Sequence, residues 1–401
     1  MTLLPVPFFE GCEKKIEIHF RTQAGDDQGI RRVGRAVWSA ALKGAGITIE
    51  SELNAPGWDC YMLSESSLFV SRDRLVCKTC GQSAPLAILK DALSHGEALG
   101  CPAQLVIFSR SNLLKPEMQR PVHRSFSNER DYLDGQLPVK GKAYTFGDVS
   151  GAHWNLYVAN LHPIADGSFP KRVSPTLEVA MYDLDPVVMT PRWMSGMHAA
   201  SDASTEVISI SSALCPEPVV DDMIFDPCGY SMNAYGLEGT YCCVHVTPQD
   251  GCSFASFEAS AEDPVAVAAT VRALVNFFRP AKFSAALLEL GSPTSQPPFE
   301  VFSTAGSTYA KQAACSQQLE IVNQKEHQQQ IIVNQTADEK GAMSRFSFSS
   351  FEDRGRTQIA SHEHMAIFDK RELQRSGKDY VPLGTVQQAA ASGSSDPKAR
   401  L

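Results

Sequence analysis

No stretch of this sequence strings together the roughly twenty apolar residues that a membrane-spanning helix requires, so no membrane partner is expected. Concentrated positive charge is also missing. Lys and Arg total 36 against 45 Asp and Glu, a net charge of -9. Binding to a phosphate backbone runs on basic clusters, so no nucleic-acid partner is expected either. A cationic small substrate is the kind of ligand this balance tolerates. The opening stretch, MTLLPVPFFEGCEK, has no basic region ahead of an apolar one and meets Glu10 early, which argues against a secretory signal. The 11 cysteines follow no disulfide framework, and Cys242 and Cys243 are adjacent, so a reducing, cytoplasmic setting is expected. Cys77-Lys78-Thr79-Cys80 is a CxxC with no second CxxC beside it, too little for a structural zinc site, and no metal is expected.

Apolar residues make up 43% of the 401 positions, enough for a sizeable core. Lys14–Phe20 alternates Ile16, Ile18 and Phe20 against Lys15, Glu17 and His19, a half-buried strand. Ala103–Arg110, Trp154–Leu161, Pro175–Asp183, Tyr241–Thr247, Cys252–Glu258 and Lys282–Glu289 also read as strands. Helical spacing marks Gly29–Gly46, Gly81–Leu99 and Pro264–Phe278. Strands in hairpin-like succession, with single helices between them, point to an α+β protein with large antiparallel sheets. A Gln- and Asn-rich segment, Gln317–Lys340, holds an apolar patch at Ile331–Val333 that reads as a peripheral strand. After a strand at Phe346–Phe351 the composition turns polar. The reading is one domain over 1–352 and a disordered polar tail over 353–401, with His362 and His364 solvent-exposed.

The stretch that organises the rest is Leu63–Gly81, LSESSLFVSRDRLVCKTCG. Its apolar runs read as a hairpin turning at Ser71–Arg74, preceded by Glu65-Ser66-Ser67. Serines at a strand end usually make turn hydrogen bonds. A serine can also attack the carbonyl of the residue before it, an N→O acyl shift that turns an amide into a labile ester.

FFEGCEK (Phe8–Lys14), LSESSLFVS, KTCG, FDPCGYSMN (Phe225–Asn233) and GTYCCVHVTP (Gly239–Pro248) occur in this order, and together they resemble the eukaryotic S-adenosylmethionine decarboxylase proenzymes. The resemblance implies a four-layer αββα sandwich and self-cleavage between Glu65 and Ser66. Ser66 becomes a pyruvoyl group, the cofactor, on the longer fragment, and the shorter fragment stays as its partner. That cofactor is an electron sink for decarboxylating the small-molecule substrate S-adenosylmethionine. The other roles follow residue by residue. His245, by itself a core histidine, matches the base that takes the α-proton of Ser66. Ser231, by itself a turn residue, matches the group that stabilises the cyclic intermediate. Cys80 matches the acid that reprotonates the substrate carbon; a redox role with Cys77 is its rival. Glu10 and Glu13, otherwise rim acids, match active-site carboxylates. Phe9 and Phe225 match the rings around the adenine, and Leu63 and Glu65 line the substrate.

Two departures stand out. Gln249 occupies the place of a glutamate that holds the ribose, which removes a charge. Glu17, Lys78, Thr176, Glu178 and Glu258 match a putrescine-binding cluster, but Ser174 replaces its aspartate, so weak or absent putrescine activation is expected. A homodimer is allowed. The rival readings are a catalytically inactive regulatory subunit of such a decarboxylase and an unrelated self-cleaving hydrolase. The retained Ser66, Cys80, Ser231 and His245 favour the enzyme.

Overall fold

The alternation of Lys14–Phe20 (β1) buries both of its faces: Ile16, Ile18 and Phe20 pack toward helices, while Lys15 and Glu17 are buried on the opposite side. The polar face of this strand therefore meets a second sheet rather than water. The computed structural model describes residues 8–147, 153–162, 173–186, 193, 199–226, 228–249 and 251–291, and the strand segments 335–337, 344–348, 352–354, 357–359 and 362–370.

Around β1 lie β2 (Ile49–Asn54), β3 (Trp58–Leu63), β4 (Ser66–Ser71), β5 (Arg74–Thr79), β6 (Ala103–Ser111), β7 (Lys142–Gly147) and β8 (His153–Asn160). They form an antiparallel sheet of eight strands in the order β2-β3-β4-β5-β1-β6-β8-β7. Helices α1 (Gly34–Ala45), α2 (Leu89–Ala98) and α3 (Phe126–Gln136) share a core with its outer face, through Trp38, Leu42, Leu89 and Leu133.

The second sheet comprises β9 (Val173–Leu184), β10 (Val219–Ile224), β11 (Tyr230–Tyr235), β12 (Tyr241–Thr247), β13 (Phe254–Ser260), β14 (Pro280–Gly291), β15 (Gln335–Ala337), β16 (Ser344–Phe348) and β19 (His362–Lys370). It runs β10-β11-β12-β13-β9-β14-β19-β15, with β16 also on β19. A separate small pair is formed by β17 (Glu352–Arg354) and β18 (Thr357–Ile359). Helices α4 (Ala199–Ser211) and α5 (Pro264–Phe278) cover the outer face, packing Val207, Val271 and Leu274 on Met232, Val244 and Phe257. Asp263 starts α5 by accepting the Val265 N–H, and Pro264 at the first position gives up no needed donor.

Between the sheets lie two apolar clusters that draw on both. One joins Trp58, Phe69 and Val76 to Tyr241 and Cys243; the other joins Ile107 and Trp154 to Tyr182 and Phe254. Helices outside and sheets face to face give the αββα sandwich. Gly11 lets the segment before β1 press against the second sheet, since a Cβ there would lie 2.3 Å from Phe254 Cβ.

Three expectations need correction. The helices read over Gly29–Gly46 and Gly81–Leu99 each open with a 3-10 turn, Gly29–Val33 and Pro85–Ile88, before the α-helix begins. Gly34, at φ 75°, and the ring of Pro85 are the local reasons. The sheet also continues past residue 352, into the stretch read as polar tail. Strand β19 pairs antiparallel with β14 from Ser284 to Gly291. Its four apolar residues, Met365–Phe368, vanish into the polar average around them, and β14 offers them a ready ladder. His362 and His364 belong to this strand. The patch at Ile331–Val333 and the segment Ala389–Arg400 lie outside the described residues.

Candidate active site

Strands β3 and β4 pair Leu63 with Ser66, so Ser64 and Glu65 form the tip of a two-residue hairpin. Ser66 leaves this tip with φ 122°, one of five non-glycine residues of positive φ among those described. A residue held there stores on the order of 1–3 kcal/mol, and such strain concentrates where chemistry occurs. The Glu65 carbonyl points at the chain end of β5, where it accepts the Cys80 N–H at 3.1 Å and the Cys80 thiol at 3.5 Å. One carbonyl oxygen thus faces two donors, an arrangement that favours negative charge on it.

The Ser66 hydroxyl donates to Glu13 Oε1 at 2.6 Å. Lys78, opposite Ser67 in the β4–β5 ladder, places its ammonium 2.8 Å from Glu13 and 2.9 Å from Glu258. Burial opposes ionisation of Glu13, but Lys78 and its other neighbours outweigh it and pull the carboxyl down to about 2. Glu13 therefore rests as an anion at the Ser66 hydroxyl.

His245 comes from the other sheet. It pairs with Ser231 across β11 and β12, and its Nδ1 lies 2.8 Å from the Ser231 hydroxyl. Its Nε2 lies 2.8 Å from Ser67 Oγ and 3.9 Å from Glu13 Oε1. Burial dominates its titration and lowers it to about 4, so the ring is neutral at physiological pH. Cys80 moves the opposite way: burial, then Glu13 and Glu65, push its thiol well above the usual range and keep it protonated. Cys77 packs in the helix-side core, so the two thiols of the CxxC occupy different environments.

Glu10 is buried, accepts the N–H groups of Leu114 and Lys115 at 2.9 Å, and has its carboxyl raised by desolvation. Gly81, at φ 58°, would bring a Cβ to 2.9 Å from the Glu65 carboxylate and 3.0 Å from the Phe9 ring, which puts both beside this glycine. Phe225 follows β10 against Gly229, and Gln249 follows β12; both are half-buried, at the end of the second sheet that carries Ser231 and His245.

The expected diamine cluster is assembled, but it holds cations of its own. Lys15 is 2.6 Å from Glu178, 3.7 Å from Glu258 and 3.8 Å from Glu17. Arg74 reaches Glu17 at 2.8 Å and Thr176 at 3.1 Å, while Tyr241 donates to Glu258 at 2.6 Å. Burial alone would discharge Lys15, yet the three carboxylates raise its pKa. Lys15 and Arg74 are additions to the expected set, although β-alternation places Lys15 two residues from Glu17 on the same face and so supplies the signal. Ser67 and Asn233 are additions too, each within two residues of a motif serine.

The chain is similar to known proteins over most of its length. The adenosylmethionine decarboxylase family profile matches residues 6–335. A Dictyostelium discoideum S-adenosylmethionine decarboxylase proenzyme is 37% identical over 318 residues, 76% of this chain and 80% of that one. The proenzyme of that name from Drosophila melanogaster is 34% identical, covering 69% of this chain and 81% of its own length. The one from Oryza sativa subsp. indica is 36% identical, covering 71% and 72%.

Proposed function

The chain belongs to the adenosylmethionine decarboxylase family, and from that premise we propose how its own residues build and use the catalytic centre. The protein decarboxylates S-adenosylmethionine, and its product is the aminopropyl donor for spermidine and spermine. The observation that carries our reading of the site is the strained Ser66, its hydroxyl on Glu13 and its preceding carbonyl on two donors of Cys80. These residues fit the generation of a pyruvoyl group from Ser66.

Ser66 Oγ attacks the Glu65 carbonyl carbon as its proton passes, transiently, along the 2.6 Å bond to Glu13. The oxygen gathers charge facing the Cys80 N–H and thiol. Collapse breaks the Glu65–Ser66 C–N bond, the proton returns to the nitrogen, and Glu65 is left as an ester on Ser66. His245 Nε2 then takes the Ser66 α-proton. The electron pair forms the Cα=Cβ bond, and Glu65 departs as a carboxylate with the former Oγ. Water releases ammonia from the resulting enamine and leaves the carbonyl. A pyruvoyl group supplies the electron sink that an α-amino acid needs to lose carbon dioxide. In turnover the protonated Cys80 thiol delivers a proton to the substrate carbon. Phe9 and Phe225 offer aromatic faces to the adenine and the sulfonium, Leu63 and Glu65 line the pocket, Glu10 faces the substrate, and Gln249 holds the ribose without a charge. The free cysteines suit a reducing compartment, and we place the protein in the cytoplasm.

Because Lys15, Arg74 and Lys78 already pair with Glu178, Glu17 and Glu258, a diamine would have to displace cations that the chain itself supplies. Release of carbon dioxide from carboxyl-labelled S-adenosylmethionine tests both points. Release without any diamine, unchanged by added putrescine, is expected. No release overturns the activity, and a rise with putrescine overturns the filled-cluster reading.

His245 also sets a pH dependence. The charged groups acting on it are Glu13, Lys78 and Glu258, and burial outweighs them. Cleavage of fresh precursor should be flat across neutral pH and fall as the pH drops through about 4, where the ring protonates and can no longer accept. A fall centred near 6.5, the ordinary imidazole value, contradicts this.

A further inference from the structure

Asn233 has no part in the steps above, yet it ends a hydrogen-bond chain that begins at Ser231. Both residues sit on β11, two apart and so on one face. Ser231 Oγ, His245 Nδ1, His245 Nε2, Ser67 Oγ and the Asn233 amide follow one another, with links of 2.8, 2.8 and 2.5 Å. All four residues are buried. A chain of hydroxyl, imidazole, hydroxyl and amide can be directed in only two ways, because each hydroxyl has one proton to give.

With Oδ1 toward Ser67, the Ser67 proton is committed to the amide. Neutral His245 must then carry its proton on Nε2 and donate it to Ser67 Oγ, while Nδ1 accepts from Ser231. With the amide turned, Nδ2 donates to Ser67, Ser67 donates to Nε2, and the ring proton moves to Nδ1 and onto Ser231. Nε2 is the ring atom that looks toward Glu13 and therefore toward Ser66. Only the second direction leaves a lone pair there. The first direction leaves Nδ2 buried with no hydrogen bond among the described residues; the second puts Oδ1 in that place instead, and a buried acceptor without a partner is tolerated better than a buried N–H without one. The two orientations fill the same volume.

We propose that Asn233 is a positioning residue that sets the tautomer of His245. With its nitrogen toward Ser67 it keeps Nε2 unprotonated, its lone pair held only by the Ser67 hydroxyl, which lets go as the α-proton arrives; with its oxygen toward Ser67 it receives the chain once Nε2 holds a proton. This rests on His245 being the base in the reading above. After Nε2 takes the Ser66 α-proton, the ring donates to Ser67 on one side and Ser231 on the other. Ser67 then turns its own proton to the amide oxygen. No proton is created or lost along the chain.

The test substitutes Asn233→Asp, which has the same shape but only acceptors at neutral pH and so holds the Ser67 proton. In a Ser66→Ala precursor carrying 15N-imidazole histidine, nitrogen chemical shifts report which ring atom holds the proton. His245 Nε2 should be unprotonated in the parent chain and protonated in its Asn233→Asp variant. In the chain with Ser66 intact, Asn233→Asp should slow elimination by about a hundredfold, the scale of a misplaced acid–base group. The ester should then accumulate as a full-length species that hydroxylamine splits after Glu65. Asn233→Ala, which removes the amide without adding charge, should give a mixture of both tautomers and an intermediate rate. In a Ser67→Ala background, which cuts the chain, Asn233→Asp should add nothing further. An Asn233→Asp chain that clears the ester at the native rate, or unchanged His245 nitrogens, overturns the proposal. Should His245→Ala clear the ester equally fast, it is the assignment of the base that fails.

Discussion

His245→Ala should yield a chain that forms the ester at Ser66 and stops there. In the proposed mechanism the acyl shift uses Ser66, Glu13 and the Cys80 donors, and none of the hydrogen bonds among them is made by the imidazole. Elimination does depend on it, because no other neutral base touches this end of β4 among the described residues. Glu13 lies close, but Lys78, working against burial, holds it near 2, too weak a base for a carbon-bound proton. Loss of a positioned base slows proton transfer by roughly 10²–10⁴-fold. Purified His245→Ala protein should therefore run full-length and break into two pieces when hydroxylamine is added, with the cut after Glu65. Prompt conversion to two fragments without hydroxylamine would remove His245 from the mechanism.

Lys78→Met should cost about 3–5 kcal/mol of stability. The ammonium is buried between Glu13 and Glu258, at 2.8 and 2.9 Å, and Arg74 and Lys15 are already engaged by Glu17 and Glu178. Methionine fills the space but leaves two buried carboxylates without their shared cation. Removing one partner of a buried pair typically costs about 3–5 kcal/mol. The effect should ease at low pH, because the stranded carboxylates, no longer held down, take up protons in the folded state. The sign follows from linkage: in the variant their folded pKa values rise above the unfolded ones, so stability is greatest below the unfolded pKa and falls as pH rises. Denaturant unfolding of the uncleaved Ser66→Ala background, with and without Lys78→Met, measures this. A loss under about 1 kcal/mol, the scale of an exposed pair, would show that the cluster does not need Lys78.

Several elements are legible residue for residue. Strands β1 and β12 and helix α5 match the reading at both ends, because clean alternation or an Asp-Pro start leaves little room for another structure. Helix α3 escapes such a reading. Its Asn128–Asp131 core is polar, it buries little besides Glu129 and Leu133, and it relies on the Ser125 hydroxyl capping the Asn128 N–H. At the site, periodicity places Ser66, Cys80 and His245 on or beside strands, while their roles come from the resemblance of ordered motifs. The charges are harder to read. Lys15 on an alternating strand resembles any solvated lysine until a second sheet covers that face, and Arg74 looks like a hairpin-turn residue. Burial between sheets is a tertiary fact, and it turns both into the cluster's own cations.

The most direct measurement is the intact mass of freshly purified protein beside its Ser66→Ala variant. Two fragments are expected for the native chain, the first ending at Glu65 and the second beginning with a Ser66 that has lost its amino group for a carbonyl, and a single full-length species for the variant. A native chain that stays whole, with no hydroxylamine-sensitive ester, would contradict self-processing at Ser66 and favour a regulatory partner of a true decarboxylase.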